Sequence, residues 1–155
     1  MNKKGFTLVE LMVVIVIIGV LAAVAIPKMM AATNKAKAGE GPQILRAIAN
    51  MESAYKAEND EFINAPETEE KNPKTTPADT AWVKLGFDIE PFSKYFTFQV
   101  VDASDSAFSA EAALYSTLGE AKGGVQSLEI NQRDIRTING ETPTGPLANL
   151  LPNWK

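Results

Sequence analysis

The chain has 155 residues, 45% of them hydrophobic, with 19 acidic against 15 basic side chains and a net charge of −4. That length suffices for one domain with one modest core. The absence of cysteine and histidine excludes thiol nucleophiles, disulfides, zinc fingers and histidine general bases, and the acidic balance argues against non-specific nucleic-acid binding.

The first element is apolar. Phe6 to Ile26 is a 21-residue stretch with a single charge, Glu10, and residues 11–26 carry neither charge nor polar side chain. As a helix the stretch spans about 31 Å, close to the thickness of a bilayer core. Lys3 and Lys4 precede it, which keeps that end cytoplasmic and sends the rest of the chain outside. A carboxylate in such a segment costs roughly 2.5–3.5 kcal/mol at the helix centre and less near its end. A secretory signal is one reading, with Ala23-Val24-Ala25 as the cleavage site and a secreted soluble binding domain cut near Ala25. A plain membrane anchor is another. A buried core helix fits poorly, because the segment is apolar on all faces. None of these accounts for Glu10.

The octapeptide Lys3-Lys4-Gly5-Phe6-Thr7-Leu8-Val9-Glu10 resembles the processing signature of type IV prepilins and the related pseudopilins. The resemblance is close from residue 3 to about residue 35 and looser beyond. It implies cleavage between Gly5 and Phe6, N-methylation at Phe6, and an assembly role for Glu10. The new α-amine, of ordinary pKa about 7.7–8.0, is mostly cationic at neutral pH. Glu10 of one subunit can then pair with the Phe6 amine of its neighbour. A buried pair often only breaks even in stability, so its greater effect is register, because a slipped helix leaves two unpaired charges in hydrocarbon.

The resemblance also implies partners: further copies of the chain in a helical filament, a prepilin peptidase/methylase, an inner-membrane platform protein and an assembly ATPase. It implies a precursor in the inner membrane, an extracellular pilus after assembly, and no cofactor. A pseudopilin of a type II secretion system, forming a short periplasmic filament, remains the alternative within the family. Gly19 and Pro27 bracket Val20 to Ile26. Read alone, the proline ends or kinks the helix; the resemblance implies that this stretch can lose helicity in a filament.

Beyond Pro27 lysines appear, and Gly39, Gly41 and Pro42 predict a kink or short break. Ile44, Ile48, Met51, Tyr55 and Phe62 then recur at helical spacing, predicting an amphipathic helix from Gln43 to Asp60 with that stripe on the core. Ala65 to Asp79 reads as an exposed loop. Alternation predicts strands over Lys94–Val101, Phe108–Leu114, Gln126–Ile130 and Arg133–Ile138, with a turn at Asn139-Gly140. Short connections make these an antiparallel meander with one buried face, which the helix covers. Leu150, Leu151 and Trp154 are expected to tuck the tail against the sheet. Many pilins close this region with a disulfide; here packing or a metal must replace it.

The expected fold is therefore α+β: a long N-terminal helix packed by its second half on an antiparallel sheet of about four strands. The expected segments are a leader (1–5), a membrane or filament-core helix (6–27), an amphipathic second half (28–62) and a sheet head with its tail (63–155). Other sites are set aside. Asp102, Asp105, Glu129 and Asp134 lack a calcium-loop spacing and read as solvated carboxylates. Ser93-Lys94 and Ser53/Lys56 have no supporting catalytic constellation. Phe6, Tyr55 and Phe62 are too sparse for electron conduction and read as packing residues.

Overall fold

The computed structural model describes residues 5–68, 80–87, 91, 93–114, 127–138, 147, 150–152 and 154. Contacts divide the chain into two units, Met1–Thr33 and Asn34–Lys155, and each is described by itself.

The first unit is helical. Helix α1, Leu8–Ala38, begins there and is long and apolar enough to cross a membrane. Its Leu, Val, Ile and Met side chains from Leu8 to Met30 are exposed on every side. Valine and isoleucine favour strands in water. In hydrocarbon a helix is retained because it satisfies backbone N–H and C=O groups within the segment. The helix continues through Pro27, so of the two readings, an end or a kink, the structure excludes the end. Proline removes one donor, which would have served the carbonyl of Ala23, and the ladder resumes beyond it.

In the second unit the glycine–proline cluster produces a single turn. Gly39 keeps helical dihedrals, φ −66° and ψ −15°. Its N–H is shared between the carbonyls of Lys35 at 3.2 Å and Ala36 at 3.1 Å. Helix α2, Glu40–Asn59, starts at the next residue. Pro42 falls in its first turn, where N–H groups lack intrahelical acceptors. The helix stops at Asp60, which is left-handed (φ 64°) and donates its N–H to the Lys56 carbonyl at 2.8 Å.

The buried face of α2 is Gly41, Leu45, Ile48 and Glu52, a run at four-three-four spacing. This corrects the expected stripe. Ile48 belongs to it and Ile44 and Tyr55 flank it, but Met51 is 39% exposed. Phe62 reaches the core from beyond the helix, its ring 4.8 Å from that of Phe108.

Four strands form an antiparallel sheet in the order β1 (Phe96–Val101), β2 (Ser109–Leu114), β3 (Ser127–Asn131) and β4 (Arg136–Ile138). Register aligns the inward residues across it: Phe98 with Ala112, Val100 with Ala110, Ala112 with Leu128 and Leu128 with Ile138. Helix α2 packs chiefly on β2 and β3. The central inward residues of β2 are alanines, and the helix contributes Gly41. A Cβ on Gly41 would stand 3.1 Å from Leu128 Cδ1 and from Phe96 Cζ. Small residues on both surfaces thus permit the close approach. The fold is the expected α+β arrangement of a long apolar-ended helix with a four-stranded antiparallel sheet.

Two stretches differ from expectation. Ala65 to Thr68, expected in an exposed loop, line the free edge of β1. Ala65 and Val100 exchange backbone hydrogen bonds, Thr68 N donates to Phe98 O, and Phe98 N donates to the Thr68 hydroxyl. The expected strand Arg133–Ile138 is shortened to Arg136–Ile138. Asn131 accounts for the difference: its side-chain oxygen accepts from the N–H groups of Arg133 and Ile135, folding a turn that leaves Ile135 52% exposed.

A short helix, α3 (Ala81–Lys84), was not anticipated. It buries Trp82, whose indole N–H donates to Pro66 O at 3.1 Å. The tail is tucked as expected. Trp154 is buried and donates its indole N–H to Thr137 O at 3.2 Å, while Leu150 and Leu151 pack on the core. The Asn139-Gly140 turn, the Gly119–Gly124 connection and residues 69–79 lie outside the described residues.

Candidate functional site

Gly5, Phe6 and Thr7 precede α1 in non-helical backbone, and Phe6 is 91% exposed. A Cβ on Gly5 would meet nothing within 4 Å. Among the described residues nothing crowds the Gly5 Cα, and the Phe6 side chain is open.

Glu10 sits in the first turn of α1. Its carboxylate accepts from the Thr7 N–H at 2.8 Å and the Thr7 hydroxyl at 2.7 Å, and the Thr7 hydroxyl oxygen accepts from the Glu10 N–H at 3.2 Å. This is a reciprocal capping box, in which Thr7 is the cap and Glu10 reaches back three residues. It satisfies helix-end donors that would otherwise be orphaned, and it puts a negative charge at the favourable end of the helix dipole. Thr7, which positions the Glu10 carboxylate, was not singled out by the sequence reading. Its signal was present, since a Thr-x-x-Glu spacing just before an apolar run is the capping-box pattern.

Gly19 and Pro27 lie inside α1 and do not approach Glu10, which stands nine and seventeen residues earlier. At Gly19 a Cβ would meet nothing within 4 Å, so packing within the chain does not require a glycine there. The structure thus groups Gly5, Phe6, Thr7 and Glu10 at one helix start, with Gly19 and Pro27 spaced along the same helix.

The sites set aside earlier have ordinary partners. Ser53 donates to the Ala49 carbonyl one turn back, and Lys56 donates to the carbonyls of Asp60 and Asp105. Ser93 donates to Glu40 and accepts from the N–H groups of Tyr95 and Phe96. Glu129 accepts from the hydroxyls of Ser109 and Thr137, and Asp134 pairs with Arg136. Among the described residues no three acidic side chains come together as a metal site would need.

One carboxyl group in the sheet unit is unusual. Glu52 is fully buried on the inner face of α2. One oxygen accepts from the Ile63 N–H at 3.2 Å, and the other has no partner among the described residues. Desolvation pushes its pKa up from the ordinary 4.5 to about 7, with the Ile63 hydrogen bond acting the other way.

Comparison with known proteins bears on the helix start and on the whole chain. The family model described as the prokaryotic N-terminal methylation motif matches residues 1–26. A fimbrial protein of Pseudomonas aeruginosa is 34% identical over 155 residues, covering 97% of this chain and 94% of that one. The type IV wide pilus major component PilA4 of Thermus thermophilus is 32% identical over 107 residues, covering 69% and 70%. The type II secretion system core protein G of Pseudomonas aeruginosa is 35% identical over 89 residues, covering 56% of this chain and 63% of its own length. A methylation motif ahead of an apolar helix, a sheet packed on the following helix, and near full-length similarity to a fimbrial protein place this chain in the type IV pilin family.

Proposed function

We propose that this chain is a structural pilus subunit, cut between Gly5 and Phe6, methylated at Phe6 and polymerised into a helical filament. The observation that carries the reading is the side-chain surface of α1, which from Leu11 to Ile26 carries no charged or polar side chain and whose large apolar residues are exposed on all sides. Such a surface needs hydrocarbon around it, first from lipid and then from the α1 helices of neighbouring subunits. The precursor resides in the inner membrane with Lys3 and Lys4 on the cytoplasmic side, and the assembled filament lies outside the cell. A peptidase/methylase supplies the cut and the methyl group. A platform protein and an ATPase supply the work of assembly.

Glu10 is the docking residue. Within the single chain its charge is held by Thr7. In the filament the Phe6 amine of a neighbour replaces part of that cap, so the carboxylate is partnered in both states. Glu10→Ala is expected to leave membrane insertion intact, because it removes a charge from lipid, and to abolish efficient filament assembly. Cell fractionation and the yield of sheared filaments measure the two effects separately; undiminished filament yield would contradict the docking role.

The similarity to protein G keeps a second reading, that of a pseudopilin in a short periplasmic filament. Near full-length similarity to a fimbrial protein favours the pilin. Deleting the gene distinguishes them: a pilin is missed as surface filaments, a pseudopilin as protein export.

A further inference from the structure

A groove of about 290 Å³ runs beside the first half of α2. Pro42, Leu151 and Trp154 give it an apolar lining, and Lys35 and Arg46 stand at its rim. Arg46 is exposed, with its guanidinium 5.9 Å from the centre of the Trp154 ring. Arg136 lies over the same ring at 5.4 Å but already holds Asp134. Among the described residues neither Lys35 nor Arg46 forms an ion pair with a carboxylate.

The far end of α2 has the opposite sign. Glu58, Asp60 and Glu61 are exposed there. The β1–β2 turn brings Asp105 beside them, because Lys56 reaches the carbonyls of both Asp60 and Asp105. Carboxylates at a helix C-terminus face the negative end of the dipole and are unfavourable. Lys56 is the cation closest in sequence, and it directs its ammonium to carbonyl oxygens. Lys56 offsets part of that cost, but four exposed carboxylates, Glu58, Asp60, Glu61 and Asp105, against one lysine leave this end of α2 net negative.

We propose that the groove beside Arg46 receives the acidic end of α2 from a second copy of this chain. The inference rests on the filament reading above and names a contact that reading does not contain. Charge complementarity selects the occupant: a cationic rim over an apolar floor meets a carboxylate cluster that every subunit supplies in equal number. Arg46 and Glu58 are twelve residues apart on one helix, about 18 Å. One molecule can therefore offer its groove to one neighbour and its acidic end to another. The contact uses different surfaces on its two partners, so it need not close on itself and can propagate along a filament.

The test uses the full-length chain in cells that assemble it. The chain has no cysteine, so engineered cysteines report without background. Arg46→Cys is combined in turn with Glu58→Cys, Glu61→Cys and Asp105→Cys, and the filaments are oxidised after shearing. The expected result is a ladder of cross-linked subunits for at least one pair and none for the single variants. Filaments that form normally but give no ladder with any pair would overturn this contact while leaving the filament reading intact. If the unmodified chain forms no filaments, that reading fails and the contact with it.

Charge reversal covers cysteine variants that do not assemble. Arg46→Glu and Glu61→Arg are each expected to lower filament yield about tenfold, the scale of one lost ionic contact. Combining the two should restore most of it. No restoration would overturn the proposal.

Discussion

Two carboxylates set the chemistry of this chain at the residue scale, and they are held in opposite ways. The Glu10 carboxylate accepts two hydrogen bonds from Thr7 on one oxygen, and the Glu10 N–H donates a third to the Thr7 hydroxyl. Glu52 is buried with one hydrogen bond and one orphaned oxygen. The folded state of Glu52 keeps its proton up to about pH 7, whereas the unfolded chain loses it near the ordinary value of 4.5. Between those values the native state binds more protons, so stability is full below pH 4.5 and falls as pH rises through 7. The fall amounts to roughly 3 kcal/mol, levelling off above that pH. Both tryptophans, Trp82 and Trp154, lie in the sheet unit, so their fluorescence reports its unfolding. Denaturant titrations from pH 4.5 to 8 should show the decline, and Glu52→Gln should flatten it. A slope unchanged in that variant would assign the titration to another group.

At the element scale the contact of α2 with the sheet depends on small residues. Gly41 lies within 3.1 Å, by its would-be Cβ, of Leu128 and of the buried Phe96 ring. Gly41→Val adds two methyl groups more than that clearance allows. Overpacking of this kind costs about 1–3 kcal/mol, more than the gain in helix propensity, which is under about 1 kcal/mol. The midpoint of tryptophan-monitored unfolding should fall accordingly; an unchanged midpoint would mean that the helix shifts to absorb the side chain. The buried face also explains what the sequence concealed. A stripe counted from Ile44 selects Met51, because the true line of the face contains a glycine and a glutamate that hydropathy ignores. The strands were legible because β2 and β3 bury alternate residues on one face, as do Phe96, Phe98 and Val100 of β1, although Thr97 is buried as well. The Ala65–Thr68 edge was not, since Pro66 and Thr68 carry loop signals although Ala65 and Thr68 bond to β1. The turn at Asn131 depends on side-chain hydrogen bonds that the pattern of valines and isoleucines does not register.

At the scale of the whole molecule the chain cannot staple its tail with a disulfide. It has no cysteine, and the tail is held by Trp154, through its bond to Thr137 and the two arginines over its ring. The apolar surface of α1 is left without a partner in the single chain. That surface and the methylation motif fit the membrane-anchored precursor and the filament proposed above. The apolar run and the processing signature were readable from residue order alone, because both are contiguous. The docking of one copy on another is encoded in surfaces that converge only after folding.

The most direct test of this account is mass spectrometry of the chain recovered from filaments sheared off cells. The account predicts an abundant species that begins at Phe6 and carries one methyl group on its α-amine. A soluble chain beginning near Ile26, with no filaments, would contradict it.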